Sequence, residues 1–126
     1  MKALILMSHG SRNSMANQEV IDLTHSVGLC AKQKFVAYAF LDVLKPTLDD
    51  SIEQMIEKGA TQIDVLPLFL NTGNHVAKDI PHMIIEARKR HPHVILRLLR
   101  HIGAHPAYVQ LVNEMAHTPE HYLTLD

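Results

Sequence analysis

The sequence predicts an α/β fold of three layers, α/β/α, around a four-stranded parallel sheet in the order 2-1-3-4. Three observations carry this reading. Strand-like and helix-like segments alternate four times along 126 residues. Three of the four strand segments read as continuous apolar runs, as parallel strands covered on both faces do. Right-handed crossovers then leave few topologies, and the chosen order reverses direction between strands one and three.

Strand one is read as Lys2 to Ser8, with the run Ala3-Leu4-Ile5-Leu6-Met7 at its centre. The next helix carries Ala16, Val20, Leu23 and Val27 at spacings of four, three and four, one apolar stripe. Cys30 lies in the helical pattern and is read as a small buried hydrophobe rather than a nucleophile. Strand two is read as Phe35 to Leu41. The second helix opens at Pro46-Thr47, with Thr47 as N-cap and Asp49 and Asp50 in the first turn. Its stripe is Leu48, Ile52, Met55 and Ile56, and Gly59 is placed to end it in a left-handed cap. Strand three is read as Gln62 to Leu68. A loop from Leu70 to Lys78 leads to a helix for which Asp79 is the expected N-cap, with Pro81 where a missing N–H costs little. Ile80, Met83, Ile84 and Ala87 are expected to face inward. Strand four is read as Val94 to Leu99. The last helix begins near Pro106 and is expected to bury Tyr108, Leu111, Val112 and Met115. Residues 117–126 show no clear period and are read as a tail or a dimer arm. Residues 1–126 are taken as one domain.

Composition narrows the function. Hydrophobic residues make up 47%, enough for a core, and the formal net charge of −1 gives no basic field for nucleic acid. One cysteine excludes an internal disulfide framework. The N-terminus enters a strand directly, without a signal-peptide pattern, and no apolar run approaches the roughly 20 residues of a spanning helix. A cytoplasmic protein without membrane or nucleic-acid partners is the expectation.

The chemistry is expected at two strand ends. His9 follows strand one in Ser8-His9-Gly10-Ser11-Arg12, and His75 follows strand three in Gly73-Asn74-His75-Val76-Ala77-Lys78-Asp79-Ile80-Pro81. In the order 2-1-3-4 the carboxyl ends of strands one and three flank the switch point, where open α/β sheets bind ligands. Two imidazoles over one crevice suit a metal or a proton. His9 could instead be a loop histidine satisfied by the backbone. Gly10 would let the backbone approach a ligand closely, and Ser11 and Arg12 lie near a helix N-terminus suited to anions. Asp79 could accept from the second ring nitrogen of His75 and fix its tautomer, although capping its helix is the preferred reading. Leu68 to Leu70 would wall the site for a flat apolar ligand. Asp42, Lys45, Arg97, Arg100, His101 and His105 could rim the same edge, each alone more often a solvated surface group.

These motifs resemble a known family. His9-Gly10-Ser11-Arg12, Ala39-Phe40-Leu41-Asp42 with Pro46-Thr47-Leu48, Pro67-Leu68-Phe69-Leu70 with Gly73-Asn74-His75, Asp79-Ile80-Pro81 and Gly103-Ala104-His105-Pro106 occur in the order found in the class II tetrapyrrole chelatases, and are most similar to the small CbiX-type sirohydrochlorin cobaltochelatases. The resemblance implies a chelatase-like fold and a metal-chelating lyase. Such an enzyme inserts Co²⁺, or in relatives Fe²⁺ or Ni²⁺, into sirohydrochlorin for cobalamin or sirohaem. The ion is a substrate, and no permanently bound cofactor is implied. Larger members carry two such halves in one chain, so a homodimer is implied here. His9 and His75 take the place of the family's metal-binding histidines, and Asp42 stands where glutamate is common. Asn74 stands where glycine is common. For the acidic groups of the tetrapyrrole, Ser11, Arg12, Lys78, Arg97 and Arg100 are the candidates.

Two other readings compete. Ten histidines also suit a non-catalytic metal-binding or delivery protein. A histidine–glycine pair after strand one also resembles the histidine phosphatases, whose motif has arginine directly before the histidine, where this chain has Ser8.

Overall fold

The computed structural model describes residues 1–33, 35–42 and 44–125. Strands β1 (Lys2–Ser8), β2 (Phe35–Phe40), β3 (Gln62–Pro67) and β4 (Ile95–Leu98) form one parallel sheet in the order β2-β1-β3-β4. The helices are α1 (Ser14–Cys30), α2 (Leu48–Glu57), α3 (Ile80–Arg90) and α4 (Ala107–His117). A π-helical turn, His75–Asp79, runs directly into α3. Among the described residues no helix is long and apolar enough to cross a membrane.

The two faces of the sheet differ because side chains alternate along each strand. Ala3, Ile5 and Met7 of β1, Ile63 and Val65 of β3, and Leu96 of β4 share one face, and α2 and α3 bury it with Leu48, Ile52, Met55, Ile80, Ile84 and Ala87. Helix α2 is well delimited. The Thr47 hydroxyl accepts from the Asp50 N–H, and the Asp50 carboxylate accepts from the Thr47 N–H, closing a capping box. The Thr47 backbone bond, with that to its side chain, holds the Asp50 carboxyl below its ordinary range. At the far end Gly59, at φ +102°, donates to Ile56 O and Ala60 donates to Met55 O, a Schellman cap. Buried Ser51 is satisfied by donating to Tyr38 O at 2.6 Å.

Helix α1 covers the other face over β1 and β2, where Gly28 lies close to Val36. Its stripe is Ala16, Val20, Thr24 and Val27 rather than the expected set, since Thr24 is buried while Leu23 is 42% exposed. Thr24 tolerates burial because its hydroxyl donates to Val20 O. Cys30 is exposed, not buried, because the helix ends there.

The largest departure is α4. Tyr108 is half-buried, but Leu111, Val112 and Met115 are each about half exposed, and none of the helix is buried. The apolar spacing marks a helix with a face to cover, but spacing cannot say what covers it. After the 3₁₀ turn Ile102–Ala104 the chain leads α4 away from the sheet, and the elements it chiefly contacts are its own flanking turns. The second face is therefore open over β3 and β4. There Leu66 and Leu99 line a cleft of ≈ 440 Å³ with His101, His105 and Pro106. Beyond α4, Tyr122 donates to Ala116 O, while Leu123 and Leu125 are exposed. The last residue of the expected tail, Asp126, lies outside the described residues.

Candidate functional site

Strands β1 and β3 are neighbours, with Met7 opposite Pro67, and both run out at the same edge of the sheet. Leu68 continues the pairing by donating to Met7 O at 2.8 Å. His9 is the first residue past β1, and His75 opens the π-helical turn after the loop that follows β3. The two rings meet with centroids 5.0 Å apart and planes at 57°. Phe69 stands beside them, its ring 6.3 Å from that of His75, as the apolar wall expected in this segment. Both histidines are exposed, so the pair opens to solvent.

The Asp42 segment is drawn in through the backbone. Leu41 donates to Ser8 O at 2.8 Å and Asp42 donates to His9 O at 3.1 Å, so backbone bonding continues one residue past β1 and two past β2. Gly10 permits this closeness. It sits at φ +90°, and a Cβ there would lie 2.9 Å from the Asp42 carbonyl oxygen. The glycine foreseen as serving a ligand thus serves the fold first. The Asp42 side chain is exposed at this edge.

Asp79 does not cap α3. Residues 74–80 are all helical, so the turn extends upstream of the expected start, and Asp79 makes no capping bond. Pro81 cannot donate, and its ring crowds the carbonyl four residues back. The widened turn, closed by the Ile80 N–H on His75 O, absorbs that conflict. The Asp79 carboxylate instead lies 2.8 Å from His75 Nδ1. His9 Nδ1 lies 3.0 Å from Gly10 O.

The expected anion-binding residues divide into three groups. Ser11 is held within the loop: its hydroxyl accepts from Asn13 N–H, its own N–H donates to Asn17 Oδ1, and its carbonyl accepts from Asn17 Nδ2. Asn13, which accepts from Met15 N–H, is the true N-cap of α1. Asn13 directly before a helical stripe is an N-cap signal, whereas nothing in the sequence around Asn17 marks its bonds to Ser11. Arg12, Lys78 and Arg100 are exposed and form no ion pair among the described residues. Arg97 is not brought to the histidine pair. Its guanidinium grips Asp64 through two bonds of 2.7 and 2.9 Å at mid-strand, on the open face of the sheet. The hydrogen bond and charge of Asp64 hold Arg97 protonated beyond its ordinary range. The clue was Asp64 itself, a carboxylate inside the run Ile63-Asp64-Val65, where burial demands a partner.

One residue matters more than its sequence context suggested. Gly103 donates to Phe69 O at 3.1 Å, and a Cβ on it would fall 1.8 Å from Leu70 O. The turn after β4 is thus laid directly on the loop that carries Phe69 and His75. Beside it Pro67, Val76, Arg100 and His101 line a cleft of ≈ 380 Å³ that adjoins His75 through Val76. His105 accepts from Ala107 N–H and steadies the start of α4.

The spacing of the two rings is that of imidazoles sharing one metal ion. An imidazole nitrogen sits about 2.0–2.1 Å from a divalent ion, so two rings sharing one ion have centres roughly 4.5–5.2 Å apart. The observed 5.0 Å lies in that range. Among the described residues no three His, Cys, Asp or Glu side chains are grouped to hold an ion. Two protein ligands leave most coordination positions open, as suits an ion that must be handed on.

The CbiX family model matches residues 3–118. The sirohydrochlorin ferrochelatase of Bacillus subtilis is 31% identical over 111 residues, covering 88% of this chain and 42% of that protein. The sirohydrochlorin cobaltochelatase of Methanocaldococcus jannaschii is 33% identical over 84 residues, covering 67% of this chain and 59% of that protein. The chain thus spans less than two thirds of the length of these curated relatives. Among solved structures, the sirohydrochlorin chelatase SirB from Bacillus subtilis subspecies spizizenii, in complex with cobalt, superposes with a TM-score of 0.83 at 30% identity, covering 91% of this chain and 49% of that one. A CbiX protein from Marinobacter aquaeolei VT8 superposes with a TM-score of 0.81 at 28% identity, over 92% of both chains. The matched residues contain both strand-end histidines and, but for Lys2, the sheet that presents them, and the chain belongs to the CbiX family.

Proposed function

We propose that this protein is a metal chelatase that inserts a divalent ion, Co²⁺ foremost and Fe²⁺ or Ni²⁺ as alternatives, into sirohydrochlorin. The observation that carries the reading is the His9–His75 pair, 5.0 Å apart at the switch point of the sheet, in a chain whose relatives are named sirohydrochlorin cobaltochelatase and ferrochelatase. Insertion exchanges two pyrrole N–H protons for one M²⁺. Neutral imidazoles bind Co²⁺, Fe²⁺ and Ni²⁺ well, and a two-histidine hold lets pyrrole nitrogens take over the coordination. Fixing ion and macrocycle in register removes much of the entropic barrier. Asp42 places a carboxylate at the same edge, Phe69 offers the ring an apolar side, and Arg12, Lys78 and Arg100, without an ion pair among the described residues, are cations for its acidic groups. The ion is a substrate, and the reading needs no permanently bound cofactor.

The test mixes the protein with sirohydrochlorin and each ion in turn and follows the macrocycle absorption. Insertion faster than the uncatalysed control, with Co²⁺ fastest, is the expected result. Several ions bound per chain without macrocycle binding would favour a metal-delivery protein and reject the chelatase.

A cytoplasmic location, a single domain and a homodimer belong to the same proposal. The dimer is supported by α4, whose Val109, Leu111, Val112 and Met115 are at least half exposed and form an apolar face without a cover among the described residues. Sedimentation is expected to report a dimer, and Val112→Glu a monomer. A wild-type monomer at tens of micromolar would reject this part.

A further inference from the structure

Each histidine of the pair has its Nδ1 against an oxygen that cannot donate. For His9 the oxygen is the Gly10 carbonyl, at 3.0 Å. For His75 it is the Asp79 carboxylate, at 2.8 Å. A carbonyl or carboxylate oxygen only accepts, so both Nδ1 atoms carry the proton, and in the neutral ring the lone pair is left on Nε2.

We propose that both histidines are held in the Nδ1–H tautomer so that their Nε2 lone pairs form the metal-receiving pair, and that Asp79 is the positioning residue that sets this for His75. The inference rests on the chelatase reading for its purpose, but not for its geometry. The two rings differ in how firmly they are set. His9 bonds to the carbonyl of the next residue, a contact short in sequence and built into the Gly10 turn. His75 stands at the head of a π-helical turn in an exposed loop, where its ring would otherwise rotate and exchange tautomers freely. Asp79, one turn on in the same helix, supplies both an orientation and a proton acceptor. That role also explains why Asp79 sits at a helix start without capping it: the wide turn carries the helix back to His75, and the carboxylate is spent on the ring. A carboxylate behind a ligating histidine typically changes metal affinity 10- to 100-fold, about the effect expected here.

The test uses the full chain labelled with ¹⁵N-histidine. Long-range proton–nitrogen correlation spectra assign the tautomer of His9 and His75, and Co²⁺ titration gives the affinity. In the wild type both rings should show the Nδ1–H pattern. Asp79→Ala should convert His75 to a mixture dominated by the Nε2–H form that free imidazole prefers, leave His9 unchanged, and weaken Co²⁺ binding about 10- to 100-fold. Asp79→Asn, whose amide oxygen can still accept, should keep the His75 tautomer and lose less affinity. A purely structural role for Asp79 would lower stability without moving the His75 tautomer. Nε2–H as the main form of His75 in the wild type, or an unchanged tautomer and affinity in Asp79→Ala, would overturn the assignment. The expected tautomers and affinities in a wild type that inserts no metal would support the Asp79 assignment and reject the chelatase reading.

Discussion

Gly103→Ala is expected to destabilise the chain by about 3 kcal/mol or more, a size reserved for a few structural mechanisms, and to lower metal insertion with it. The added methyl would stand 1.8 Å from Leu70 O, against backbone rather than against a side chain that could swing aside. Relief would require parting the turn after β4 from the loop after β3, which breaks the Gly103–Phe69 hydrogen bond and moves the segment that carries Phe69 and His75. Denaturant unfolding and Co²⁺ titration check the two halves of the expectation. Gly73→Ala is the control. It lies in the same loop with nothing within 4 Å of a Cβ, so its stability should stay close to wild type. Equal behaviour of the two variants would mean that the Leu70 loop yields without cost, and would remove Gly103 from the architecture of the site.

His9→Ala and His75→Ala should each slow insertion about 100-fold or more while leaving the melting temperature nearly unchanged. Removing one of two ligands should cost at least what a supporting residue does, itself about 10- to 100-fold. Both rings are exposed and lie outside the buried core, so their loss opens no cavity. The double variant should be little worse than either single one, because groups acting as a unit are not additive. A single variant that retains full activity would exclude its histidine from the reaction, and a steep loss of stability would recast it as structural.

The meeting of His9 and His75 was legible in sequence because both lie beyond the carboxyl ends of neighbouring strands. Apolar runs of strand length located β1 and β3, crossover handedness limited their order, and a histidine just past each then had to share an edge. Caps were legible for the same local reason: Thr47, Asp50 and Gly59 act within a few residues of themselves.

What resisted reading was long-range or two-valued. Asp79 had two local partners, the helix end and His75, and the π-helical turn decided between them. Arg97 looked like a free cation until β4 paired with β3 in the register that sets it opposite Asp64. The role of Gly103 depends on a backbone contact with Leu70 across 33 positions, and nothing in the glycine's neighbours encodes it. Helix α4 has the stripe of a buried helix and exposes it, because periodicity specifies a face while only packing supplies its partner. The sequence by itself determined the four strands, the sheet order and the meeting of the two histidines, since strand length, turn chemistry and crossover handedness follow from the chain's local pattern. The tertiary structure alone decided the state of the side chains around them, because hydrogen-bond partners and close backbone contacts exist only once distant segments meet.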